Sequence, residues 1–321
     1  MEIRKIQLIA GTTYTVSLPK SWIKKNNLKE GNDISIIEKS DNNLILSHRP
    51  VKEKKLNEIS LDAEDYIKND ENVQNLSQIL FGCYYLGIEK ITLFSKKSLS
   101  KNIKTKVRKT LLNMSGTEIS YEDDNKITIR VLLDKSKIEF SQIIYRIGLL
   151  IEYSISNLVD QLNINEIRLN ENEIDRLYHL STKMISLSLI DSNILDSSKI
   201  KNNSLIPSYF LMSKKLENLA DMIYYLSEYI NKNKIKYDNK KILEFIKSEI
   251  NRGVKYVISD HLSIFERVGG EKLDNINELI SKIKDKTIRR YFEDIIRYLK
   301  DIEDEIVNIS FYSQLIRKGS L

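Results

Sequence analysis

Residues 10–25 read AGTTYTVSLPKSWIKK, where a polar turn, an alternating strand pattern and a basic helical pattern follow one another. In YTVSL, at residues 14–18, large apolar side chains alternate with hydroxyl side chains, which is the period of a half-buried β-strand. Pro19 suits the first position of a helix, where its missing N–H is not needed. The segment therefore predicts a strand that stops at Pro19 and a short helix that carries Lys20 and Lys24.

The residues on either side complete two predicted hairpins. IRKIQLI, at residues 3–9, is a strand pattern closed by the turn formers Gly11-Thr12-Thr13. EGNDISIIEKSDNNLILS, at residues 30–47, predicts a second strand pair around the turn Asp41-Asn42-Asn43. Two hairpins and one short helix in fifty residues bury too little apolar surface to stand alone. We therefore expect residues 1–50 to associate with a second copy and form a homodimer.

The bulk composition sets the class of protein. The chain has 321 residues, 41% of them hydrophobic and 30% charged, which is ordinary for a globular protein of two or three domains. Its 10 Gly and 3 Pro favour long uninterrupted helices. The single Cys83 excludes an intramolecular disulfide. No apolar run approaches the ~20 residues of a membrane helix. We expect a cytoplasmic protein with no membrane insertion.

The positive charge of the chain is concentrated near its start. Residues 1–55 hold eleven Lys or Arg and six Asp or Glu, whereas the net charge of the whole chain is +6. A basic segment attached to a nearly neutral body indicates a module that faces a polyanion. A solvated basic surface is the alternative interpretation.

The first fifty residues also resemble a known family. RKIQLIAGTTYTVSLPKSWIKKNNLKEGNDISI, at residues 4–36, is similar to the AbrB/MazE/SpoVT swapped-hairpin DNA-binding domain, most closely at SLPKSW and LKEGNDI. In that family two chains interleave their hairpins into one barrel that contacts DNA. The first loop of that family often carries an arginine, and the loop AGTTY has none. This difference favours contact with phosphates over readout of bases. The resemblance implies DNA contacts at Arg4, Lys5, Thr12, Thr13, Tyr14, Lys20 and Lys24. A domain that only dimerises is the alternative.

The segment at residues 51–135 predicts a small α/β unit after an exposed linker that begins at residue 51. NVQNLSQILFGCYYLGIEKITLFS, at residues 72–95, indicates a helix and then a strand, and a further helix pattern follows. TEISYEDDNKITIRVLL, at residues 117–133, predicts a hairpin about Asp123-Asp124-Asn125. No glycine-rich phosphate loop follows a strand, so the pattern does not indicate nucleotide binding.

The segment at residues 136–321 is predicted to be helical, in two repeats of three helices at about residues 136–231 and 239–317. Leu216, Leu219, Ile223, Leu226 and Ile230 step by three and four residues, as in the seam of a helical bundle. The fold class that follows is α+β and mostly α: a swapped-hairpin β domain, a small α/β unit and tandem three-helix bundles.

Acidic pairs spaced by four residues recur on these helices. Glu171 with Asp175, and Glu217 with Asp221, place like charges one helical turn apart, which costs a few tenths of a kcal/mol per pair. Their recurrence favours a solvated acidic stripe, which is a common pattern on helices, with a bound cation as the alternative. His179 lies one turn beyond Asp175, where we expect a residue at the bundle edge.

These motifs carry a second resemblance. EIDRLYHL, at residues 173–180, and LENLADMIYYLSE, at residues 216–228, are similar to helix motifs of the PhoU family of phosphate-uptake regulators. In that family such pairs bind iron or other cations, which implies Glu171, Asp175, Glu217 and Asp221 as ligands of iron or another divalent cation. In the second repeat Lys300 stands where the first has Glu217, and Asp274 and Asp304 lack complete pairs, so at most one cluster is expected.

Together the two resemblances describe an archaeal-type phosphate uptake regulator with an AbrB-like domain ahead of a PhoU domain. They imply a DNA-binding transcriptional regulator of phosphate uptake and phosphate signalling. The alternative is a signalling adaptor that acts on a phosphate transporter or signalling protein and uses the β domain only to dimerise. An enzyme is not expected, since the chain has no HExxH motif, no P-loop and three widely spaced histidines.

Overall fold

The structure is a computed structural model that divides into two compact units, residues 1–55 and residues 56–321. It describes residues 3–38, 44–48, 57–66, 74–160, 162–200, 202–235, 239–259 and 263–319. The predicted turn Asp41-Asn42-Asn43 and the start of the predicted linker at residue 51 lie outside the described residues.

The N-terminal unit begins with an antiparallel hairpin of β1 (Gln7–Ile9) and β2 (Thr13–Thr15). Its turn uses the left-handed backbone of Ala10 and Gly11, with φ of 53° and 73°. Helix α1 (Lys20–Lys25) follows, and Pro19 precedes it as the N-cap with an extended ψ of 128°. The prediction that Pro19 takes the first helical position was therefore wrong by one residue.

A second antiparallel hairpin, β3 (Ser35–Glu38) with β4 (Leu44–Ser47), completes the N-terminal unit. Trp22 of α1 packs edge-on to the ring of His48 at the end of β4, with 6.4 Å between ring centroids. The two hairpins form separate two-stranded sheets. None of the side chains described in residues 3–38 and 44–48 is fully buried.

The second unit opens with a four-stranded sheet in the order β5-β6-β8-β7. Strands β5 and β6 pair in parallel, and the other neighbours pair antiparallel. Cys83 is buried among Leu80, Tyr84, Ile91 and Ile129, where it packs as a small apolar residue. The elements are β5 (Glu58–Asp62), α2 (Ala63–Tyr66), α3 (Gln74–Tyr85), β6 (Lys90–Phe94), α4 (Lys101–Leu112), β7 (Thr117–Glu122) and β8 (Lys126–Val131).

The rest of the second unit is helical. Six long helices lie in the predicted segments, and the short helix α7 was not anticipated. The sequence pattern predicts a helix over about residues 239–267, but helix α9 ends at Ile258 because Ser259 is already extended with ψ of 147°. The helices are α5 (Phe140–Val159), α6 (Ile164–Ser188), α7 (Ser192–Ser197), α8 (Ile206–Asn233), α9 (Lys240–Ile258), α10 (Gly270–Ser281) and α11 (Lys286–Gly319).

Helix α8 is the central element of this helical part. It packs along α5, α6 and α11, and α5 packs in turn against α6 and α9. The shared core contains the fully buried side chains of Ile147, Leu216, Ile223 and Phe292. The fold is thus α+β and mostly α. No helix among the described residues is long and apolar enough to cross a bilayer.

The α/β part is joined to the helical part through helices α3 and α6. The Lys183 ammonium of α6 is buried there; it donates to the carbonyl oxygen of Tyr84 at 2.9 Å and lies 3.9 Å from the centre of that ring. Burial lowers the pKa of Lys183 to about 7. The segments at residues 57–135 and 136–319 therefore share a packed boundary, although each has its own hydrophobic core.

Two glycines mark close approaches between helices. A Cβ on Gly148 of α5 would lie 2.8, 3.1 and 3.3 Å from three side-chain atoms of Val254 on α9. A Cβ on Gly253 of α9 would lie 2.7 Å from a single atom, the Cδ1 of Ile306 on α11. The first contact involves a whole stiff side chain, whereas the second involves only the end of a longer one.

Gly148→Ala should therefore lower the free energy of unfolding by about 1–3 kcal/mol, the usual cost of overpacking. Gly253→Ala should change it by less than about 1 kcal/mol, because Ile306 can move its terminal methyl and alanine favours the helix. Urea unfolding of the two variants and the native chain measures both values. Equal stability of the two variants would contradict the assigned α5–α9 contact.

Candidate functional site

The predicted DNA-contact residues all lie on the surface of the N-terminal unit. Arg4 and Lys5 precede β1, Thr12 and Thr13 lie at the β1–β2 turn, and all four are exposed. The remaining three are also exposed, with Tyr14 on β2 and with Lys20 and Lys24 on α1. No acidic residue lies in the first turn of α1, and Lys24 and Lys25 occupy its last turn.

The same unit exposes large apolar side chains on both hairpins. Tyr14 is 74% exposed, Val16 50% and Ile36 65%. Others of this kind are Ile3, Ile6, Leu8, Ile9, Leu44 and Ile45. So many exposed large apolar side chains in one small unit indicate an interaction surface.

A cluster of three carboxylates forms a second candidate site between α6 and α8. Glu171 and Asp175 of α6 and Asp221 of α8 each bring one carboxylate oxygen within 4.8 Å of the others, and all three side chains are half-buried. The two residues of α6 are one turn apart, and the packing of α8 along α6 brings Asp221 to them. The cluster unites three of the four metal ligands implied by the sequence.

The carboxylates of the cluster hold their protons more tightly than usual. Burial, together with repulsion from Asp175 and Asp221, raises the pKa of Glu171 to about 7. Burial and the charge of Glu217 raise the pKa of Asp175 to about 6 and that of Asp221 to about 7. These shifts measure how strongly the site opposes three uncompensated negative charges.

Glu217, the fourth implied ligand, does not join the group of three. Its carboxylate accepts a hydrogen bond of 2.6 Å from the Lys214 ammonium one turn earlier on α8, and its side chain is nearly buried. Lys214 also lies 4.9 Å from the centre of the Tyr178 ring. The i, i+3 spacing of Lys214 and Glu217 is visible in the sequence, and this ion pair competes with a metal for the Glu217 carboxylate.

His179 packs at the boundary between the two parts of the second unit. Its ring stacks on Phe81 of α3, with 3.9 Å between centroids, and its Nδ1 shares a short hydrogen bond with the hydroxyl of Tyr85. Burial and the nearby charge of Lys214 lower the pKa of His179 to about 4, so the ring is neutral near neutral pH. This contact between α3 and α6 could not be read from the sequence, because the partners are 94 residues apart.

The second helical repeat compensates its acidic residues. Arg252 of α9 donates to Glu249 at 2.6 Å and to Glu303 of α11 at 2.5 Å, and both carboxylates are buried. Lys272 of α10 binds the other oxygen of Glu249 at 2.6 Å. Asp304, which aligns with Asp221, lies 2.7 Å from the Arg267 guanidinium. Asp274 belongs to no group of potential metal ligands among the described residues.

The two repeats therefore differ in the balance of charge around similar acidic positions. In the second repeat, arginine and lysine neutralise the carboxylates. In the first, three carboxylates converge and the nearest ammonium, that of Lys214, binds Glu217 instead. Three carboxylate oxygens at this spacing suit a hard divalent cation such as Mn²⁺ or Mg²⁺.

Comparison with known proteins finds one match, and it lies at the start of the chain. The family model described as antidote-toxin recognition MazE, bacterial antitoxin, matches residues 7–56. No curated protein and no solved structure matches the chain. The N-terminal unit thus contains a MazE/AbrB-like domain, in agreement with the first resemblance, and the match does not extend into the second unit.

The raised pKa values of the carboxylate cluster predict a pH-dependent stability. Because the folded state binds these protons more tightly than the unfolded state, the contribution of the cluster to stability is lost as the pH rises through about 6 to 7. Asp221→Asn removes one repelling charge. In the presence of a chelator, the variant should melt at a higher temperature than the native chain at about pH 8, and the difference should shrink toward about pH 5.

Asp304→Asn is the matched control, since its carboxylate is exposed and paired with Arg267. The melting temperature of this control should not exceed that of the native chain at about pH 8. An Asp221→Asn protein that is less stable than the native chain at about pH 8 would contradict uncompensated repulsion in the cluster.

Proposed function

We propose that the protein is a DNA-binding transcriptional regulator that acts as a homodimer through its N-terminal unit. A MazE/AbrB-like domain indicates a function of the DNA-binding regulator or antitoxin kind, and this match is the observation that carries the proposal. The large second unit favours a regulator, because a folded body with two hydrophobic cores can receive a signal. We propose a regulatory and not a catalytic role.

Dimerisation is supported by the exposed apolar surface of the N-terminal unit. A second copy would cover side chains such as Tyr14, Val16 and Ile36, which one copy leaves in water. Burying a large apolar side chain contributes about 1.5–3 kcal/mol. The dimer would also present Lys20 and Lys24 twice, which doubles the positive charge available to a duplex.

The residues proposed to contact DNA are suited to phosphates. Lysine ammoniums, threonine hydroxyls and backbone N–H groups bind phosphate oxygens, and such contacts position a protein on the duplex without reading bases. Lys5, Lys20 and Lys24 supply the cations, and Thr12 and Thr13 the hydroxyls. Affinity should therefore depend steeply on salt and weakly on sequence.

For the second unit we propose a PhoU-like role in the regulation of phosphate uptake and phosphate signalling in the cytoplasm. Two successive sets of three long helices and acidic pairs on α6 and α8 support this proposal. An adaptor that acts on a phosphate transporter, with the N-terminal unit only dimerising, is the alternative. A native chain that forms a dimer but does not bind duplex DNA would favour the adaptor.

We also propose that Glu171, Asp175 and Asp221 hold iron or another divalent cation, with Glu217 close by. The convergence of the three carboxylates supports this, because a cation would offset the repulsion that, after burial, raises their pKa values. Metal analysis after anaerobic loading should find a bound ion in the native chain and none in Asp221→Asn. A native chain without bound metal would leave the cluster a solvated acidic stripe.

The DNA-binding proposal is tested by replacing Lys20 with Ala. Each phosphate contact contributes about 0.9 to the slope of log affinity against log salt, so a dimer that loses two contacts should lose about 1.8 of that slope. The loss should be the same on duplexes of unrelated sequence. Fluorescence anisotropy from about 50 to 200 mM salt measures both quantities.

Lys255→Ala serves as the control, since Lys255 is an exposed lysine on α9 in the other unit. The slope of log affinity against log salt of the Lys255→Ala protein should equal that of the native chain. No duplex binding by the native chain at about 50 mM salt, or an unchanged slope in Lys20→Ala, would overturn the proposed contact.

A further inference from the structure

The helix α4 of the α/β part lies in an unusually basic segment. Residues 96–112 contain seven Lys or Arg and no Asp or Glu. Charge averaged over the second unit hides this segment, because acidic residues elsewhere cancel it. The packing of α4 determines which side of the helix exposes this charge to solvent.

The apolar side of α4 packs into the core of the α/β part. Ile103 and Val107 are buried there together with Thr110. The opposite side faces solvent, where Lys101, Asn102 and Lys109 are exposed. The helix therefore offers a polar, basic surface and no apolar one.

Only part of this charge is neutralised within the chain. Lys104 lies 3.8 Å from Glu122 and 3.7 Å from Asp124, and Arg108 lies 2.7 Å from Glu122. The other five cations form no ion pair with any described residue. They are Lys96, Lys97, Lys101, Lys106 and Lys109, defined here as the α4 basic face.

The arrangement of these lysines concentrates their charge. Lys101 and Lys109 are eight residues apart, about 12 Å along the helix and about 80° apart around its axis. Lys96, Lys97 and Lys101 lie around the N-terminus of α4, where the helix dipole is already positive and acidic residues are absent from the first turn. Cations placed there repel both one another and the dipole, and an external polyanion relieves that repulsion.

We propose that the α4 basic face is a second contact surface for the phosphate backbone of duplex DNA. The inference rests on the proposed DNA-binding function and adds a surface in the unit that the MazE match does not cover. The exposed Asn102 and the partly exposed Thr105 add side chains that can hydrogen-bond to phosphate oxygens.

A membrane surface fits the α4 basic face less well than a duplex. Helices that lie on a bilayer insert an apolar side into it. The apolar side of α4 is buried in the protein, and only Leu112 at its end is a large exposed apolar residue of this helix. A regular array of phosphates matches several lysines spread along one helix without requiring an apolar contact.

The test uses the full chain with Lys101→Gln, Lys106→Gln and Lys109→Gln combined. If all three lysines contact phosphates, the slope of log affinity against log salt should fall by about 2.7 per chain in contact with the duplex. The loss should be equal on two duplexes of unrelated sequence. The control combines Lys255→Gln, Lys286→Gln and Lys300→Gln, which removes the same charge from exposed sites on α9 and α11 and should change the slope much less.

The outcomes separate this inference from the proposed function. If Lys20→Ala lowers the slope but the α4 variant matches its control, the α4 surface is refuted and the N-terminal contact stands. If the α4 variant lowers the slope and Lys20→Ala does not, the α4 surface stands and the N-terminal contact falls. Loss of binding to anionic lipid vesicles in the α4 variant, with duplex binding unchanged, would assign the surface to membranes and overturn the inference.

Discussion

The structure depends first on apolar surface that the N-terminal unit cannot bury by itself. Two separate two-stranded hairpins and one short helix leave every described side chain of residues 3–38 and 44–48 at least partly exposed. Isolated hairpins are marginal in water because their backbone and side-chain ordering costs more than so small a surface returns. In the proposed dimer a second copy would supply the missing cover, and each proposed DNA contact would be present twice.

The second constraint is electrostatic and distinguishes the two helical repeats. In the second repeat Arg252 joins Glu249 to Glu303, so buried carboxylates are balanced within the protein. In the first repeat Glu171, Asp175 and Asp221 converge, and none of them forms an ion pair with a described residue, although the Lys214 charge partly offsets the rise in the pKa values of Asp175 and Asp221. Removing one partner of a buried ion pair is strongly destabilising, whereas carboxylates with raised pKa values tend to cluster at functional sites. This difference supports a ligand function for one repeat and a structural function for the other.

The sequence could predict elements with strong periodicity and acidic pairs along one helix. The seam from Leu216 to Ile230 indicated α8, and the spacing of Glu171 and Asp175 placed both on one face of α6. Contacts distant in sequence were out of reach, such as Asp221 with Asp175, Tyr85 with His179, and the order of the four-stranded sheet. The pairing of Glu217 with Lys214 was local, but it depends on rotamers that a residue pattern does not specify.

We propose that the N-terminal unit completes its core by dimerisation, and the molecular mass of the full chain in solution shows whether it does. Leu8 and Ile36 are 54% and 65% exposed, so Leu8→Asp with Ile36→Asp should remove the interface without placing a charge at a buried position of the chain. Sedimentation equilibrium at micromolar concentration should find a dimer for the native chain and a monomer for this variant. Leu169→Asp, at a 60% exposed position on α6, should remain a dimer. A monomeric native chain, or a variant that still dimerises, would contradict the account.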